Sequence, residues 1–520
     1  MTVSADNKFG QTLYKDITLP SGKSYKQPTG LFINNEFVHS HLPADQVIPV
    51  HYPATNEKVC SVEIADKDTD VNLAVEAAHT AFKTSWKNYS VLEKRECFLK
   101  LANLVNDNLQ LLAEIESIDT GKSVSNTSIH DMGRVVDCLK YYGGWIDKMC
   151  GQSFIPSKDK ICYTYHQPIG VVGCIIPFNY PLSLMAWKWA AIAVGNTTVF
   201  KAGDQTPLSI LYFASLVAQA GFPPGVFNVI NGYGQDVGDA LVKHPKVSKV
   251  AFTGSTIAAK IIQQNCSSQL KACSLEAGGK SPIVIYKDCN MDQAIKWACV
   301  GIFSNTGQVC SGTSRCYVEE EVYEEFLQNL KKYMEENYII GDPFDPKTVV
   351  GPVINKIQFD RVTGFIQSGI DEGCRLVAGG VGKPECITKN SNLQNGFYVQ
   401  PTIFADVEKH HTISHQEIFG PVIAVAKFSS ANGLQEIIDK CNDSPYGLGA
   451  SIFTQDITRA NVFAREVESG QVWINSSNDV DMNVPFHGVK ESGLGHELGS
   501  YGLENFTTVK SVHLTLADRL

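Results

Sequence analysis

The sequence predicts an α/β protein built from two doubly wound open-sheet domains with a small antiparallel arm. Three observations carry that expectation. From about residue 168 to 290, short apolar runs alternate with helical stretches that have Pro at their start and Gly just past their end, the usual asymmetry of helix termini. A second strand–helix series begins at "SPIVIY". The apolar runs are continuous rather than alternating, as in parallel strands covered on both faces, and a sheet of that kind is doubly wound.

In the first series the strand "GVVGCII" leads to a helix from Pro181 to Gly195, the strand "TTVFK", a helix from Pro207 to Gly221, the strands "VFNVI" and "KVAFT", and a further helix. In the second, "SPIVIY" leads to a helix around 291–303, then "RCYVEE" and an amphipathic helix whose Leu327, Leu330 and Met334 share one face. Gly341 and Pro343 end that helix. Segment 378–400 is rich in turn formers and reads as a surface loop. "KICYTYHQ" alternates and reads as an antiparallel ribbon. The expected division is 1–146 with 168–278, then 279–490, with 147–167 and 491–520 forming an arm of the kind that mediates oligomerisation.

A chain of 520 residues exceeds what one core sustains, about 250–300 residues. Hydrophobic residues make up 43% and charged residues 19%, a globular composition. A net charge of −10 without a Lys/Arg stripe argues against a nucleic-acid partner. Fifteen irregularly spaced cysteines with no C-x-x-C pair fit neither a disulfide framework nor a zinc ribbon, and read as reduced cytoplasmic thiols. No signal core or Arg-rich presequence is read at the start, and the final "ADRL" has Asp518 where a peroxisomal signal needs a small residue. From Ile161 to Trp187 no Lys, Arg, Asp or Glu occurs, but Pro168, Pro177 and Pro181 interrupt the stretch, so no membrane span is expected.

Several segments could carry chemistry. "NTGQVCSGTSR" sets Cys310 among small residues, where a thiolate is open to a small electrophile. Glu276 in "SLEAGGKSP" lies in an apolar and small setting, where burial would raise its pKa and suit it to proton transfer. Asn179 in "IIPFNYP" ends the first strand, and the carboxyl ends of parallel strands are where open sheets bind ligands. "FTGST" begins a helix, so Ser255 either holds a pyrophosphate at the positive helix end or simply caps it. "GYGQDVG", containing Gly234, is one residue off the dinucleotide fingerprint and reads equally as a turn. "EKHHTISH" reads as a solvated loop, and no metal site is expected.

Together these segments resemble the NAD(P)-dependent aldehyde dehydrogenase superfamily, specifically its hydrolytic, fungal-type cytosolic members, from about Pro28 to Lys510. "LEAGGKSP" is similar to the family's glutamate signature and "NTGQVCSGTSR" to its cysteine signature; "PFNYP", "QTPL", "FTGST", "HQEIFGPV" and "GLENFTTVK" also match. The resemblance implies that Cys310 attacks an aldehyde carbonyl, that Asn179 and the Cys310 N–H hold the oxyanion, and that Glu276 activates the water hydrolysing the resulting thioester. Lys188 matches a family lysine near the oxyanion region. For NAD it implies Lys201 and Asp204 on the adenosine ribose, Ser255 on the pyrophosphate, and Glu417 with Phe419 at the nicotinamide end. Ile176, Pro177, Phe178, Gly234, Phe252, Gly254, Ala277, Gly278 and Gln358 complete the implied cofactor site. On this reading 1–146 with 168–278 binds the dinucleotide and 279–490 is the catalytic domain.

Some positions depart from the family pattern. Asp204 stands where NAD-preferring relatives usually carry Glu; it keeps the charge that repels a 2′-phosphate but retracts it, so NAD is favoured and NADP use stays open. Ala259, Ala277, His487 and His496 also differ, though none removes a reacting group. Tyr180, Trp187 and Ser304 are expected to line a roomy aldehyde tunnel. The expected assembly is a homo-oligomer, dimer or tetramer. Two other readings stay open: a coenzyme A-acylating semialdehyde dehydrogenase, whose relatives typically lack the glutamate, and a family member recruited as a binding protein.

Overall fold

The computed structural model describes residues 12–517. The readings made on the first eleven residues and on the final "ADRL" from Asp518 onward lie outside them. The first sheet has eight strands, of which five are parallel: Ala272–Glu276, Val247–Thr253, Val171–Ile175, Thr197–Lys201 and Phe227–Ile230, in that spatial order. In chain order these run 5-4-1-2-3, so the winding reverses between Val171–Ile175 and Val247–Thr253. The crevice outside the carboxyl ends at such a reversal is where open sheets take ligands. Antiparallel strands close both edges: Leu31–Ile33 with Glu36–Val38 on one side, and Gly493–Leu494 on Ala272–Glu276 at the other.

The second sheet has seven strands, ordered Arg375–Ala378, Thr402–Ala405, Val422–Phe428, Arg315–Glu319, Pro282–Ile285, Gly449–Phe453 and Gln471–Ile474. All pair in parallel except the first, which runs antiparallel to its neighbour. Five residues, 277–281, join the last parallel strand of one sheet to the first of the other. The carboxyl end of one sheet is thereby tied to the amino end of the other. A three-stranded antiparallel sheet of Ser153–Ser157, Lys160–Pro168 and Thr507–Thr515 stands apart from both.

Local sequence explains the element ends. Ser90 and Glu93 form a reciprocal capping box that starts Val91–Asp107, and Gly221, at φ 90°, stops Leu208–Ala220. Beneath the first sheet, Trp189 packs its ring against Phe98, Phe213, Phe222 and Phe227 at centroid separations of 5.3–5.7 Å. Two expectations are corrected. The helix foreseen from Pro181 to Gly195 is Pro181–Trp187 followed by Ala190–Ala193; it tightens where the Lys188 N–H bonds Met185 O, turning the Lys188 ammonium inward to a buried carboxylate. Segment 378–400 holds a short helix, Glu385–Thr388, and buries Ile387, Leu393 and Tyr398, so it is pinned to the core by apolar side chains spaced too irregularly to signal it.

Among the described residues, no helix is long and apolar enough to cross a membrane.

Candidate active site

The loop before Arg315–Glu319 is built under strain. Asn305, Thr306 and Gly307 all take left-handed backbone conformations, at φ 48°, 54° and 71°. A non-glycine residue held there costs about 1–3 kcal/mol and persists only where surroundings enforce it. They do so here. Asn305 Nδ2 donates to Asn179 O (3.0 Å) and Gln308 O (3.2 Å), Thr306 Oγ1 donates to Gly351 O (3.0 Å), and Gln308 Oε1 accepts from Ile354 N (3.0 Å). Gly307 has no alternative, because a Cβ there would lie 2.1 Å from the Gly420 carbonyl carbon.

This bracing brings Asn179 to the cysteine loop: its Nδ2 donates to Gln308 O at 2.9 Å. Cys310 follows, half-buried, and lines a cavity with Tyr180, Trp187 and Ser304. The cavity encloses about 810 Å³, its open mouth included. Burial pushes the Cys310 thiol up to about 12, and the charges of Glu276 and Glu417 push the same way. The backbone N–H groups of Ser311 and Cys310 itself pull it down.

Glu276 ends its strand almost wholly enclosed, at 3% exposure, and neither of its carboxyl oxygens has a hydrogen-bond partner among the described residues. Burial holds its pKa well above the ordinary carboxylate range, the Glu497 charge adds to this, and Lys188 opposes it. Two glycines then let three segments meet. A Cβ on Gly278 would sit 2.4 Å from Glu417 Oε2, and one on Gly279 would sit 2.5 Å from Cys310 O. The Gly279 N–H donates to Glu417 Oε1 at 3.0 Å. The paired glycines of "LEAGGK" are therefore the place where the carboxylate strand, the cysteine loop and the Glu417 segment touch.

Lys188 does not line the cysteine cavity. Its ammonium, fully enclosed, bonds Glu497 Oε1 at 2.6 Å and Thr253 Oγ1 at 2.8 Å. Glu497 is a site residue that sequence reasoning missed. The signal was indirect: a lysine in an apolar helix must find an anion, but nothing local says which. Removing one partner from such a pair costs about 3–5 kcal/mol.

The implied cofactor residues gather at the winding reversal. Ile176, Pro177 and Phe178 leave the carboxyl end of Val171–Ile175, and Gly254 and Ser255 leave that of Val247–Thr253. Ser255 Oγ accepts from Ala258 N at 3.3 Å, capping Thr256–Ser267. A Cβ on Gly254 would meet the Phe252 ring at 2.5 Å. Lys201 is 4% exposed, and its ammonium has no hydrogen-bond partner among the described residues; burial lowers its pKa and Asp204 opposes that. Phe419, at φ 61°, stands edge-on to Phe178 at 5.8 Å, while its carbonyl accepts from Gln358 Nε2 at 2.7 Å. The Ala277 N–H bonds Ser492 O at 2.8 Å. Gly234 lies two strands farther along, in the π-helical turn Gly234–Gly238.

The aldehyde dehydrogenase family model matches residues 38–512. The chain belongs to the aldehyde dehydrogenase family. An aldehyde dehydrogenase of Aspergillus niger is 43% identical over 511 residues, 98% of this chain and 99% of that one. The NAD(P)+ aldehyde dehydrogenase 1 of Saccharomyces cerevisiae is 39% identical, spanning 97% of this chain and 99% of its own. The NAD+ complex of a Bacillus cereus aldehyde dehydrogenase superposes with a TM-score of 0.89 at 40% identity, covering 94% of this chain and 97% of that one. This aldehyde dehydrogenase accordingly uses NAD(P) to oxidise an aldehyde. Its own residues fit the dinucleotide: a helix start with free N–H groups at the winding reversal, and an enclosed, unpartnered ammonium at Lys201.

A pH dependence follows from the geometry. Were Cys310 the group that attacks the carbonyl, it would have to shed one proton first, and burial raises its pKa. Aldehyde kcat/KM is therefore expected to climb about tenfold per pH unit on its acid limb and to level only above neutrality. A profile flat from about pH 6 to 9 would contradict that role for Cys310.

Proposed function

We propose that the chain oxidises an aldehyde to its carboxylic acid, with NAD preferred and NADP tolerated, through a thioester on Cys310 that a Glu276-activated water hydrolyses. The observation that carries this is the meeting of the Cys310 loop, Glu276 and Glu417 around Gly278 and Gly279. In the first step the Cys310 thiolate forms a bond to the carbonyl carbon and the carbonyl oxygen takes the electron pair. The Asn179 amide and the Cys310 N–H then donate to that oxyanion. When bound, NAD supplies the two-electron acceptor of the oxidation. In the second step Glu276 takes a proton from water, the water oxygen attacks the thioester carbonyl, and the C–S bond breaks to return the thiolate. Glu276 suits this task because its oxygens are free of other partners. Lys188 is a positioning residue that acts through Glu497 and Thr253.

Lys201 and Asp204 would hold the adenosine ribose, Ser255 and the helix start the pyrophosphate, and Glu417 with Phe419 the nicotinamide end. Ile176, Pro177, Phe178, Gly234, Phe252, Gly254, Ala277, Gly278 and Gln358 would line the path between. We keep the division into a cofactor domain at 1–146 with 168–278, a catalytic domain at 279–490 and an arm at 147–167 with 491–520. The arm exposes Phe154, Ile155, Tyr163, Tyr165 and Val509, which supports a homo-oligomer, dimer or tetramer, formed through it. The working compartment is the cytoplasm, where the free thiols persist.

An aldehyde panel run with NAD and with NADP, without coenzyme A, tests the reading through NADH or NADPH absorbance. Turnover without coenzyme A, faster with NAD, is expected. A strict need for coenzyme A would replace hydrolysis by acyl transfer, and no turnover with any aldehyde would remove the proposal.

A further inference from the structure

Arg134 is solvent-exposed and lines the same cavity as Cys310, and among the described residues its guanidinium makes no ion pair or hydrogen bond. It stands on the helix Ile129–Trp145, with Asp131 and Asp137 one turn to either side. Carboxylates at that spacing are the ordinary partners of a helical arginine. Asp131 is withdrawn from the role: its Oδ2 holds Lys122 Nζ at 2.7 Å, and Lys122 also pairs with Glu116 at 3.1 Å. Among the described residues Asp137 makes no ion pair with it. Across the cavity, the segment bearing Val480 and Met482 carries Asp481, whose carboxylate is occupied by the Asn483 N–H (2.8 Å) and Nδ2 (2.7 Å). Burial raises the nearby Tyr180 phenol, the Asp131 charge adds to this, and the Arg134 charge opposes it.

The rest of the cavity divides by chemistry. Leu184, Trp187, Val480 and Phe486 give it apolar walls, and Ser304 adds a small hydroxyl with no side-chain partner among the described residues. A passage with a reactive thiol, apolar walls and an unpaired guanidinium is complementary to a molecule with an aldehyde, a hydrocarbon middle and an anion. Resting on the function proposed above, we propose that the aldehyde this chain oxidises carries a carboxylate remote from its carbonyl, and that Arg134 binds that carboxylate. The planar guanidinium donates two parallel N–H bonds to a carboxylate, a geometry a lysine does not reproduce. It also offsets the repulsion that a chain of net charge −10 exerts on an anionic substrate.

The test compares an aliphatic aldehyde ending in a carboxylate with its methyl ester, in the wild-type protein, Arg134→Gln and Arg134→Lys. The wild type is expected to prefer the carboxylate about tenfold in kcat/KM; Arg134→Gln removes that preference, and Arg134→Lys keeps part of it. Calorimetric binding of glutarate, an unreactive dicarboxylate, supplies an arm independent of turnover, with affinity expected to fall about tenfold in Arg134→Gln. Equal kcat/KM for the two aldehydes in the wild type, or a ratio unchanged by Arg134→Gln, overturns the inference. Should neither aldehyde be oxidised, the function proposed above fails by itself, and glutarate decides this inference: Arg134-dependent binding supports it and Arg134-independent binding overturns it.

Discussion

Cys310→Ala is expected to lower aldehyde-dependent NADH formation by about 10⁴-fold or more, leaving NAD affinity within about threefold of wild type. The magnitude follows from losing the only side chain that bonds to the carbonyl carbon in the proposed sequence, whereas the residues proposed for the dinucleotide lie on other segments, mainly those leaving the carboxyl ends of the first sheet's parallel strands. The substitution removes one sulfur from a half-buried site that already opens on a cavity, so the fold has little to lose. Cys299 and Cys316 are controls of the same chemistry: both are fully buried core thiols with raised pKa values. Their replacement by Ala changes stability rather than turnover. A Cys310→Ala protein retaining wild-type turnover would remove the nucleophile assignment.

Glu276→Gln is expected to separate the two halves of the reaction. The amide cannot take a proton from water, so each site yields one burst of NADH and then stalls at the thioester, with steady-state turnover lowered about 10²–10⁴-fold. Gln is close in shape to the carboxylic acid, and the side chain already lacks hydrogen-bond partners, so the substitution removes a titratable proton acceptor without breaking a bond. Unchanged steady-state turnover would refute the base.

Much of this arrangement was legible in the sequence. The unbroken apolar runs between Pro-started and Gly-ended helices marked both wound sheets, because strands buried on two faces tolerate no polar alternation. Cys310, Glu276 and Asn179 stood out as reactive types at strand ends and in small-residue loops. What stayed hidden depended on long-range pairing. Glu497 reaches Lys188 across 309 residues of chain, and the helix breaks after Trp187, at Lys188 itself. Arg134 is an exposed helical charge with acids on either side, and only the structure shows that it opens on the Cys310 cavity while Lys122 occupies Asp131. The left-handed turn at Asn305 and Thr306 was equally hidden, since Asn tolerates that conformation but the β-branched Thr disfavours it, and hydrogen bonds to distant segments hold it in place.

The most direct test of a thiol and a carboxylate working in sequence is intact-protein mass spectrometry of Glu276→Gln, acid-quenched after mixing with NAD and aldehyde. The account predicts a mass increase equal to the substrate's acyl group on nearly every chain, mapped to the Cys310 peptide and removed by hydroxylamine. An unmodified chain during continuing turnover, or the acyl group on another cysteine, would contradict it.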